Sequence, residues 1–468
     1  MPPFDGAATG ASCFAALRTP EPAIVTLNVG GQIFHTTTKT LAAAGPSSIL
    51  SSPPPFIDRD PDLFAVLLSL LCSGRFPSSF SSGDRAAAVS DLATEAAFYG
   101  IDHRIVPSAL SSFSSFSPLS LRRSLLLSLP GREPVSALSA APSGEIVAAH
   151  GSKITYFDFS LRHKKTLLTS LPAVDSVLSL PQTSLAAAGA GDFPGLQILD
   201  FSSGTLRKTL HWHPHPSVPG AAVQAVAAAG DRNLLFSSYE SCRRNASAIV
   251  AFDLGHAGDF CPVSEIGRRE IYGAELESAI PATKLKWVSS LNLLMAAGSH
   301  WGPSGVVGSI RLWDIRAGGT PIWDFNEKVD CFADVTASGE LSAMFKVGVS
   351  SGEILMADLR RFKAEDPWVG IGVRRRKNGE NVGKKEGKGC RIESEGRQVF
   401  CSRGGEVEMW SEVAMAEAPP PDEKKVMRRN VLGRAHEKGG GRILLMGFGG
   451  KRMAVGRSGE SSVEVWEN

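Results

Sequence analysis

One stretch of the sequence matches the motif that carries the nucleophile of serine hydrolases. GVSSG (348–352) fits GxSxG, in which a sharp turn from a strand into a helix lifts the serine above a sheet. The residues that follow, EILMADL, have the composition of a strand and do not continue as a helix. We therefore predict a plain β-turn here, with no catalytic role for the serines.

Three histidines could bind a metal. His211, His213 and His215 alternate in HWHPHP, which would place their imidazole rings on one side of an extended segment. Two prolines and the lack of a neighbouring cysteine or carboxylate favour a solvated loop instead. The seven cysteines are scattered without a CxxC pair, which argues against zinc and disulfides and favours a reducing compartment. We expect no metal, no cofactor and no enzymatic activity.

A basic segment is the third candidate. RRRKNGENVGKKEGKGCR (374–391) contains eight Lys or Arg residues against two Glu residues. It could be a nuclear-import signal or an anionic contact, but its glycine content favours a solvated loop inserted between larger elements. The net charge of the whole chain is only +2 and by itself indicates nothing about nucleic-acid or membrane partners, so any basic character must be local. We expect no nucleic-acid partner.

The chain length and the distribution of apolar residues limit the class of protein to which this chain can belong. At 468 residues the chain predicts two or more domains. The first twenty residues lack the charged start and apolar block of a secretory signal. No apolar run reaches the roughly 18 residues that span a bilayer. These features predict a soluble protein of the cytoplasm, with the nucleus left open, and no membrane partner.

Order is predicted to begin after a tail over residues 1–22. Val25, Leu27 and Val29 alternate with Thr26 and Asn28 before Gly30-Gly31, and residues 32–36 follow as a returning strand, which predicts a β-hairpin. In DPDLFAVLLSLLCSG, Asp60 can cap a helix that starts at Pro61 and ends at Gly74. A second helix is predicted from about Arg85 to the FYG sequence that ends at residue 100.

These residues carry a resemblance. LNVGG, TTKTL (37–41), FIDRDP (56–61) and EAAFYGI (95–101) resemble, in this order and spacing, the BTB/POZ domain of the potassium-channel-tetramerisation type, over residues 23–107. The resemblance implies an α+β domain that self-associates into a homo-oligomer, and that in many members binds the cullin-3 scaffold of a ubiquitin ligase. It implies partner or oligomer contacts at the following residues: Leu50, Phe56, Asp58, Arg59 and Asp60.

One departure bears on the cullin contact. Only SSPPP separates the Ser-x-Leu element, which ends at Leu50, from Phe56, where the family has a longer stretch with bulky apolar residues. The zinc cluster of the channel subgroup is also missing, as expected for its non-channel branch.

After a linker (108–121) the sequence is repetitive. Seven segments share a strand pattern, and in most of them an aspartate follows an apolar residue. They are GSKITYFDF (151–159), GLQILDF (195–201), SAIVAFDL (247–254), GSIRLWDI (308–315), GEILMADL (352–359), GEVEMWSE (405–412) and SVEVWEN (462–468). The repeat of about 48 residues resembles an all-β propeller of the WD-repeat kind over residues 122–468, predicted to be seven-bladed, with six or eight blades left open.

Two stretches of the sequence that could each form a strand are nearly the same. RRSLLLSLP (122–130) returns as KKTLLTSLP (164–172), with a weaker echo, RKTL, at 207–210. The last segment ends at residue 468 without room for an outer strand. We therefore predict that RRSLLLSLP supplies this strand and closes the ring, although a leucine-rich helix is the alternative for this stretch.

The loops between the second and third strands of successive blades should share one rim of the propeller, which could bind a client protein. Three of them, 189–195, 240–246 and 299–308, carry residue types enriched at binding hot spots. These are Phe193, Arg243, Arg244, His300 and Trp301.

Three functions remain open. The first is an adaptor that docks on cullin-3 and presents an unknown client for ubiquitination. The second is a scaffold that uses the same modules without a cullin, which the short SSPPP stretch favours. The third, an enzyme with an active site in the propeller, predicts clustered His or carboxylate residues at its centre, and the sequence suggests none. Trp313-Asp314-Ile315-Arg316 also fits the WDxR box that joins other propellers to a different cullin complex, but a structural role is favoured because the usual preceding acidic residues are missing.

Overall fold

The computed structural model describes most of the chain in two compact units, residues 1–113 and 114–468. The described ranges are 24–45, 48–73, 92, 94–101, 121–180, 183–216, 220–241, 245–255, 260–270, 280–302, 305–316, 320–327, 330–360, 367–371, 387–412, 427–432 and 441–467. The predicted tail, the import-signal residues RRRK and KK, and most of the linker and of the second helix lie outside these ranges. No helix in the described part is long and apolar enough to cross a membrane.

The first unit begins with the predicted hairpin. Strands β1 (Ile24–Val29) and β2 (Gln32–Thr37) pair antiparallel around Gly30 and Gly31. Both glycines have positive φ, +57° and +89°, which side-chain-bearing residues rarely adopt. Helix α1 (Thr38–Ala42) follows directly, and the Thr37 hydroxyl accepts a hydrogen bond from the backbone N–H of Thr40.

Helix α2 (Pro61–Ser73) starts as the sequence predicts. The Asp60 carboxylate accepts the backbone N–H groups of Asp62, at 2.8 Å, and of Leu63, at 3.3 Å. Its apolar face is buried at Phe64 and Leu67 and joins the core of this unit, together with Tyr99, which directly follows the described helical segment 94–98. The cap therefore fixes where the chain leaves the FIDRDP segment and enters the core.

The second unit is entirely β among its described residues, apart from a short 3₁₀ turn (Ser289–Leu291). Its first nine strands are β3 (Arg122–Ser128), β4 (Val135–Ala140), β5 (Ile146–His150), β6 (Lys153–Phe157), β7 (Lys164–Leu168), β8 (Ser176–Ser179), β9 (Leu185–Ala190), β10 (Phe193–Asp200) and β11 (Thr205–Leu210). The next eight are β12 (Ala222–Ala229), β13 (Leu234–Glu240), β14 (Ala246–Asp253), β15 (Cys261–Glu270), β16 (Lys284–Val288), β17 (Leu293–Gly302), β18 (Gly305–Asp314) and β19 (Trp323–Glu327).

The remaining strands continue the same pattern of hairpins. They are β20 (Phe332–Ser338), β21 (Ala343–Gly348), β22 (Ile354–Asp358), β23 (Val369–Gly370), β24 (Ile392–Glu395), β25 (Gln398–Arg403), β26 (Glu406–Glu412), β27 (Met427–Leu432), β28 (Ile443–Gly449), β29 (Arg452–Arg457) and β30 (Ser462–Glu467). The first strands of successive sheets, from β4 to β28, lie side by side in chain order, and β28 lies next to β4. The row of sheets therefore closes into a ring.

The predicted blade count is wrong. Among the described residues the strands form five separate four-stranded blades and one continuous eight-stranded sheet, not seven separate blades. The eight-stranded sheet arises because Pro194 at the start of β10 lies opposite Ala222 in β12, and the Gly195 N–H donates to the Ala221 carbonyl at 3.1 Å. Two groups of four strands are thus hydrogen-bonded into one sheet.

Gly189 has no side chain, and this allows the two groups of four strands to approach each other. A Cβ atom on Gly189 would lie 2.5 Å from Cγ1 of Val223, on the adjoining strand β12. Residues 189–195 were predicted to be a loop between the second and third strands of a blade. In the structure, glycine serves close packing of strands there, with only residues 191 and 192 in the turn.

The predicted ring closure is confirmed. Strand β3 pairs antiparallel with β30, the last strand of the chain, with Leu127 opposite Val463. Both side chains are buried in one cluster with Val465 and Ile146, which also brings in the neighbouring sheet. RRSLLLS is therefore a strand and not a helix, and it completes the sheet of β28, β29 and β30.

Candidate protein interface

The FIDRDP segment is fastened to the first unit through Ile57. This residue forms a single parallel bridge with Val29, and its N–H donates to the Asn28 carbonyl at 2.9 Å. Its side chain is 3% exposed, and its neighbours Phe56 and Asp58 are turned outward, as expected where successive side chains alternate. Phe56 leaves half of its surface exposed, at 51%.

Arg59 holds a cationic group beside an exposed ring. Its guanidinium carbon lies 3.8 Å from the ring centroid of Phe98, which is itself 41% exposed. The same guanidinium lies 3.6 Å from the Glu95 carboxylate. Gly30 allows this arrangement, because a Cβ there would lie 2.4 Å from the Arg59 carbonyl oxygen.

Glu95 and Tyr99 form a buried polar pair beneath Arg59. Burial raises the pKa of the Glu95 carboxyl against the opposing effect of the Arg59 charge, and Asp60 raises it further. Burial also raises the pKa of the Tyr99 hydroxyl, and the Glu95 charge adds to this effect. Oε1 of Glu95 and the hydroxyl of Tyr99 have no hydrogen-bond partner among the described residues. Arg59 therefore offsets part of the cost of burying this carboxylate.

The five predicted contacts of the first unit differ in placement. Phe56 and Asp58 are exposed and Arg59 is half-buried, so all three can reach a partner. Leu50 is 1% exposed and belongs to the core, so its side chain supports the fold and does not reach a partner. Asp60 is exposed, but its carboxylate already accepts the hydrogen bonds that cap α2.

The rim predicted on the propeller is described in part. Phe193 begins β10 and is 38% exposed. His300 is exposed, but it lies within strand β17 opposite Val307 and not in a loop, since the β17–β18 hairpin extends to Gly302 and Gly305. The alternation GVVGSIRL supplies a long returning strand that the loop prediction overlooked.

Three predicted rim residues add no side-chain geometry. Arg243 and Arg244 lie outside the described residues. Trp301 is in β17 opposite Val306, and its side chain is not among those described.

The serine motif forms a turn between two strands, as predicted. Residues 348–352 link β21 to β22, and no helix follows. The Asp330 carboxylate accepts the Ser350 N–H at 2.9 Å and the Ser351 hydroxyl at 2.6 Å. A nucleophile elbow needs a serine raised at the start of a helix, so this arrangement does not support hydrolysis.

The histidine segment follows strand β11. The rings of His211 and His213 stack with their centroids 6.0 Å apart. Within the described ranges, no group of three or more His, Cys, Asp or Glu side chains could hold a metal ion.

The WDxR box is closed by an ion pair within the chain. The Arg316 guanidinium lies 2.8 Å from the Asp314 carboxylate, which also accepts the backbone N–H of Arg316. The hydrogen bonds from Arg316 lower the pKa of Asp314 to about 2. Asp358 and Arg360 repeat this pair after β22, so the arrangement is a recurring turn of this ring and favours the structural interpretation.

A charged cluster that was not predicted from the sequence lies on the first strands of three sheets. The ammonium of Lys284 in β16 lies 3.0 Å from Asp334 in β20 and also contacts Glu393 in β24. The ammonium of Lys286 lies 3.1 Å from Glu393 and 2.8 Å from the Thr336 hydroxyl. The alternation in KLKWV and IESE was the available signal, because period-two charges at the start of successive repeats share a face.

This cluster is internally neutralised. Burial opposes the charge of Glu393, but the ammonium groups of Lys284 and Lys286 outweigh it and lower the pKa of Glu393 to about 2. Lys284 also donates to the Ile392 carbonyl at 3.1 Å. Paired charges of this kind join neighbouring sheets and present no free acid or base for catalysis.

Comparisons with known proteins agree with the two units. Residues 25–109 match the family model for the BTB/POZ domain, and residues 131–468 match the model described as At2g24240-like, C-terminal beta propeller. The BTB/POZ domain-containing protein At5g41330 of Arabidopsis thaliana is 46% identical over 459 residues, covering 96% of this chain and 97% of that protein. The BTB/POZ domain-containing protein At4g30940 of the same plant is 31% identical over 293 residues, covering 58% and 61%.

One solved structure supports the fold alone. A chain in the crystal structure of the Mitotic Checkpoint Complex matches with a TM-score of 0.51 and 14% identity, covering 76% of this chain and 93% of that chain.

Proposed function

Because this chain belongs to the BTB/POZ proteins with an At2g24240-like C-terminal β-propeller, a protein-interaction architecture, we propose that it is the substrate-recognition adaptor of a cullin-3 ubiquitin ligase. In this proposal the BTB/POZ domain self-associates and docks on cullin-3. The propeller binds the client protein. The ubiquitin transfer is carried out by the partner enzymes, so the adaptor itself needs no catalytic residue.

One observation carries the docking part of the proposal. The candidate docking group consists of Phe56, which is exposed, and of Arg59, whose guanidinium stacks on the 41% exposed ring of Phe98. Aromatic and arginine side chains are the types that dominate binding energy at protein interfaces. The group is held on a buried base, Ile57, and so would lose little conformational freedom on binding.

The client site is proposed at the rim that carries Phe193 and His300. Both side chains are exposed on hairpins that join the second and third strands of their four-strand groups. The hairpins extend the sheet, which gives a rigid base to residues that a flexible loop would hold less firmly.

The first experiment measures binding of the full-length protein to the amino-terminal region of cullin-3 by calorimetry. We expect a micromolar or tighter complex that Phe56→Ala and Asp58→Ala weaken about tenfold or more, because truncated hot spots cost about 2 kcal/mol. Lys39→Ala, an exposed change elsewhere on the same unit, is the matched control. Absence of binding by a folded, oligomeric protein would reject the cullin-3 role.

A scaffold without a cullin is the second candidate, and one observation favours it. Only residues 52–55 separate the 3₁₀ turn Ile49–Ser51 from Phe56, so little apolar surface is available beside the exposed ring. In that case the mass of the oligomer measured by sedimentation should fall in the Phe56→Ala variant, while cullin-3 binds neither protein.

A further inference from the structure

The edge strands of four neighbouring sheets carry adjacent pairs of basic residues. The pairs are Arg428-Arg429 in β27, Arg122-Arg123 in β3, Lys164-Lys165 in β7 and Arg207-Lys208 in β11. None of these four strands contains Asp or Glu. Their sheets follow one another around the ring, so we call the four strands the basic arc. The repeated stretch RRSLLLSLP and KKTLLTSLP is the centre of this arc.

Within three of the pairs the two charges have different surroundings. The second residue of each is held by the protein: Arg123 lies 3.3 Å from Glu464, and Lys165 donates to the Ser202 carbonyl at 3.0 Å. The first residues, Arg122, Lys164 and Arg428, are exposed and form no ion pair with a described residue. The arc therefore exposes one basic side chain without a described ion pair on each of these three strands.

Apolar side chains are exposed on the same strands. Leu126 in β3 is 55% exposed, Leu168 in β7 is 72% exposed, and Leu206 in β11 and Val431 in β27 are each 46% exposed. Among the described strands, each of these four pairs on one side only, so its other side carries backbone N–H and C=O groups without a described strand partner. Charge, apolar contact and backbone hydrogen bonding are thus available on one edge.

Protection of edges against aggregation does not explain the pattern, because other edge strands of the ring differ. Strand β19 carries Asp324 and Glu327 and no basic residue. In β15, Arg268 lies 3.5 Å from Glu265 and also pairs with Glu270. Charges of either sign protect an edge, so protection alone does not explain why the four strands of the arc carry only basic charges.

We propose that the basic arc binds an extended acidic segment of a partner protein, which adds to an edge strand as a further β-strand. Acidic side chains of the segment would face Arg122 or Lys164, and apolar side chains between them would cover Leu126 or Leu168. Addition of a strand satisfies the free backbone groups, and the side chains supply specificity.

Two other anionic partners fit less well. The four strands contain no aromatic residue on which the bases of a single-stranded nucleic acid could stack. The edges point outward around a ring, so a flat membrane would reach only a few of them at once. An extended peptide can bind a single edge strand, so it needs neither aromatic side chains for stacking nor contact with several edges at once.

The test uses the full-length protein and a fluorescein-labelled peptide of about eight residues that carries aspartate and valine four positions apart, and therefore on one face of a strand, as Lys164 and Leu168 are in β7. We expect micromolar binding by fluorescence anisotropy, weakening as salt rises. The variant Arg122→Gln/Lys164→Gln/Arg428→Gln should bind about tenfold more weakly, and Leu168→Glu should also weaken binding, because it adds repulsion and removes apolar contact. Lys39→Gln in the first unit is the matched control, and circular dichroism checks that each variant is folded.

Two further probes decide the mode of binding. The same peptide with alternate backbone nitrogens methylated keeps its charge but cannot pair as a strand, and we expect it not to bind. Equal binding of the methylated peptide, or an unchanged affinity in the triple variant, would overturn the proposal. So would failure of the peptide to bind while single-stranded RNA or phosphatidylserine vesicles bind and lose affinity in the triple variant, an outcome that assigns the arc to that polyanion.

Discussion

The guanidinium of Arg123 lies 3.3 Å from the carboxylate of Glu464, although 341 residues separate them along the chain. The Arg457 guanidinium donates to both oxygens of the same carboxylate, to Oε1 at 2.9 Å and to Oε2 at 3.1 Å. The neighbouring sheet repeats this arrangement, with Glu408 between Arg403, at 3.0 Å, and Arg429. Strand β3, which precedes the ring in the chain, is thus tied to the last strand by the same kind of ion pairs that join β25, β26 and β27 in the sheet before it.

Closure by β3 predicts that its buried leucine matters for stability. Leu127→Ala should lower the free energy of unfolding by about 3 kcal/mol, because it leaves a cavity between Val463 and Val465. Leu126→Ala, 55% exposed in the same strand, should change it by less than about 0.5 kcal/mol. Thermal and urea unfolding of both variants is the measurement. Equal effects of the two changes would contradict the pairing of β3 with β30.

The buried pair of Lys346 and Glu327 gives a second prediction. Their charged groups lie 2.7 Å apart at 3% and 7% side-chain exposure, and Lys346 also lies 4.7 Å from the ring centroid of Trp368. Lys346→Met should destabilise the protein by about 3–5 kcal/mol, because it leaves the Glu327 carboxylate buried without this counter-charge. Lys346→Met/Glu327→Leu should recover most of the loss in urea unfolding. A double variant no more stable than Lys346→Met would contradict this account.

Close packing between the last and first sheets gives a third prediction. A Cβ on Gly449 in β28 would lie 2.1 Å from the carbonyl oxygen of Ala141, which follows β4. Gly449→Ala should therefore cost about 1–3 kcal/mol or more, since backbone must move to accept the methyl group. Gly370→Ala is the control, because nothing lies within 4 Å of its added carbon. Differential scanning calorimetry of the two variants makes the comparison.

The charged cluster gives a pH prediction. Lys284 and Lys286 lower the pKa of Glu393 from 4.5 to about 2, so the ionised carboxylate stabilises the fold above about pH 4.5. That stabilisation should fall away as the pH drops from 4.5 towards 2, where the folded protein also binds the proton. The thermal midpoint of the wild type should therefore fall more steeply over this interval than that of Glu393→Gln. Parallel pH profiles of the two proteins would show that the cluster does not contribute.

The stability that Lys284 of this cluster contributes has the opposite dependence on pH, because it is lost as the pH rises. Burial disfavours the charge on Lys284, but Asp334 and Glu393 outweigh it and raise its pKa above 10.5. Its charge therefore stabilises the fold below about pH 10.5, and the benefit is lost as the pH rises through the higher pKa of the folded state. A Lys284→Met variant should lose the corresponding alkaline step in a series of thermal midpoints.

Local signals predicted the first unit and the class of the second. The cap at Asp60, the hairpin at Gly30-Gly31 and the pairing of RRSLLLS with the last strand are confirmed, because each depends on residue chemistry within a short stretch or on a repeat. The membership of the BTB/POZ and propeller families is likewise confirmed. The separate-blade count is wrong, because the link between β10 and β12 depends on a close approach at Gly189 that no pattern of hydrophobicity records.

The candidate sites were harder to predict for a related reason. The ion pairs of Lys284 and Lys286 with Glu393 join residues more than one hundred positions apart, so only the ring brings them together. Leu50 was selected from a family contact, although its place in the core is decided by packing. His300 was predicted to lie in the loop between the second and third strands of a blade, while pairing across the hairpin keeps it in a strand.

Closure of the ring by β3 also has a consequence during synthesis. The leucine-rich strand leaves the ribosome hundreds of residues before its partner, since Ser128 pairs with Ser462. At about 5–20 residues per second, the interval lasts on the order of tens of seconds. Throughout this interval β3, a strand of high β-propensity, has no native partner. We therefore expect a nascent-chain chaperone to bind β3. The chaperone should be released once the strand that ends at Glu467 is available for pairing.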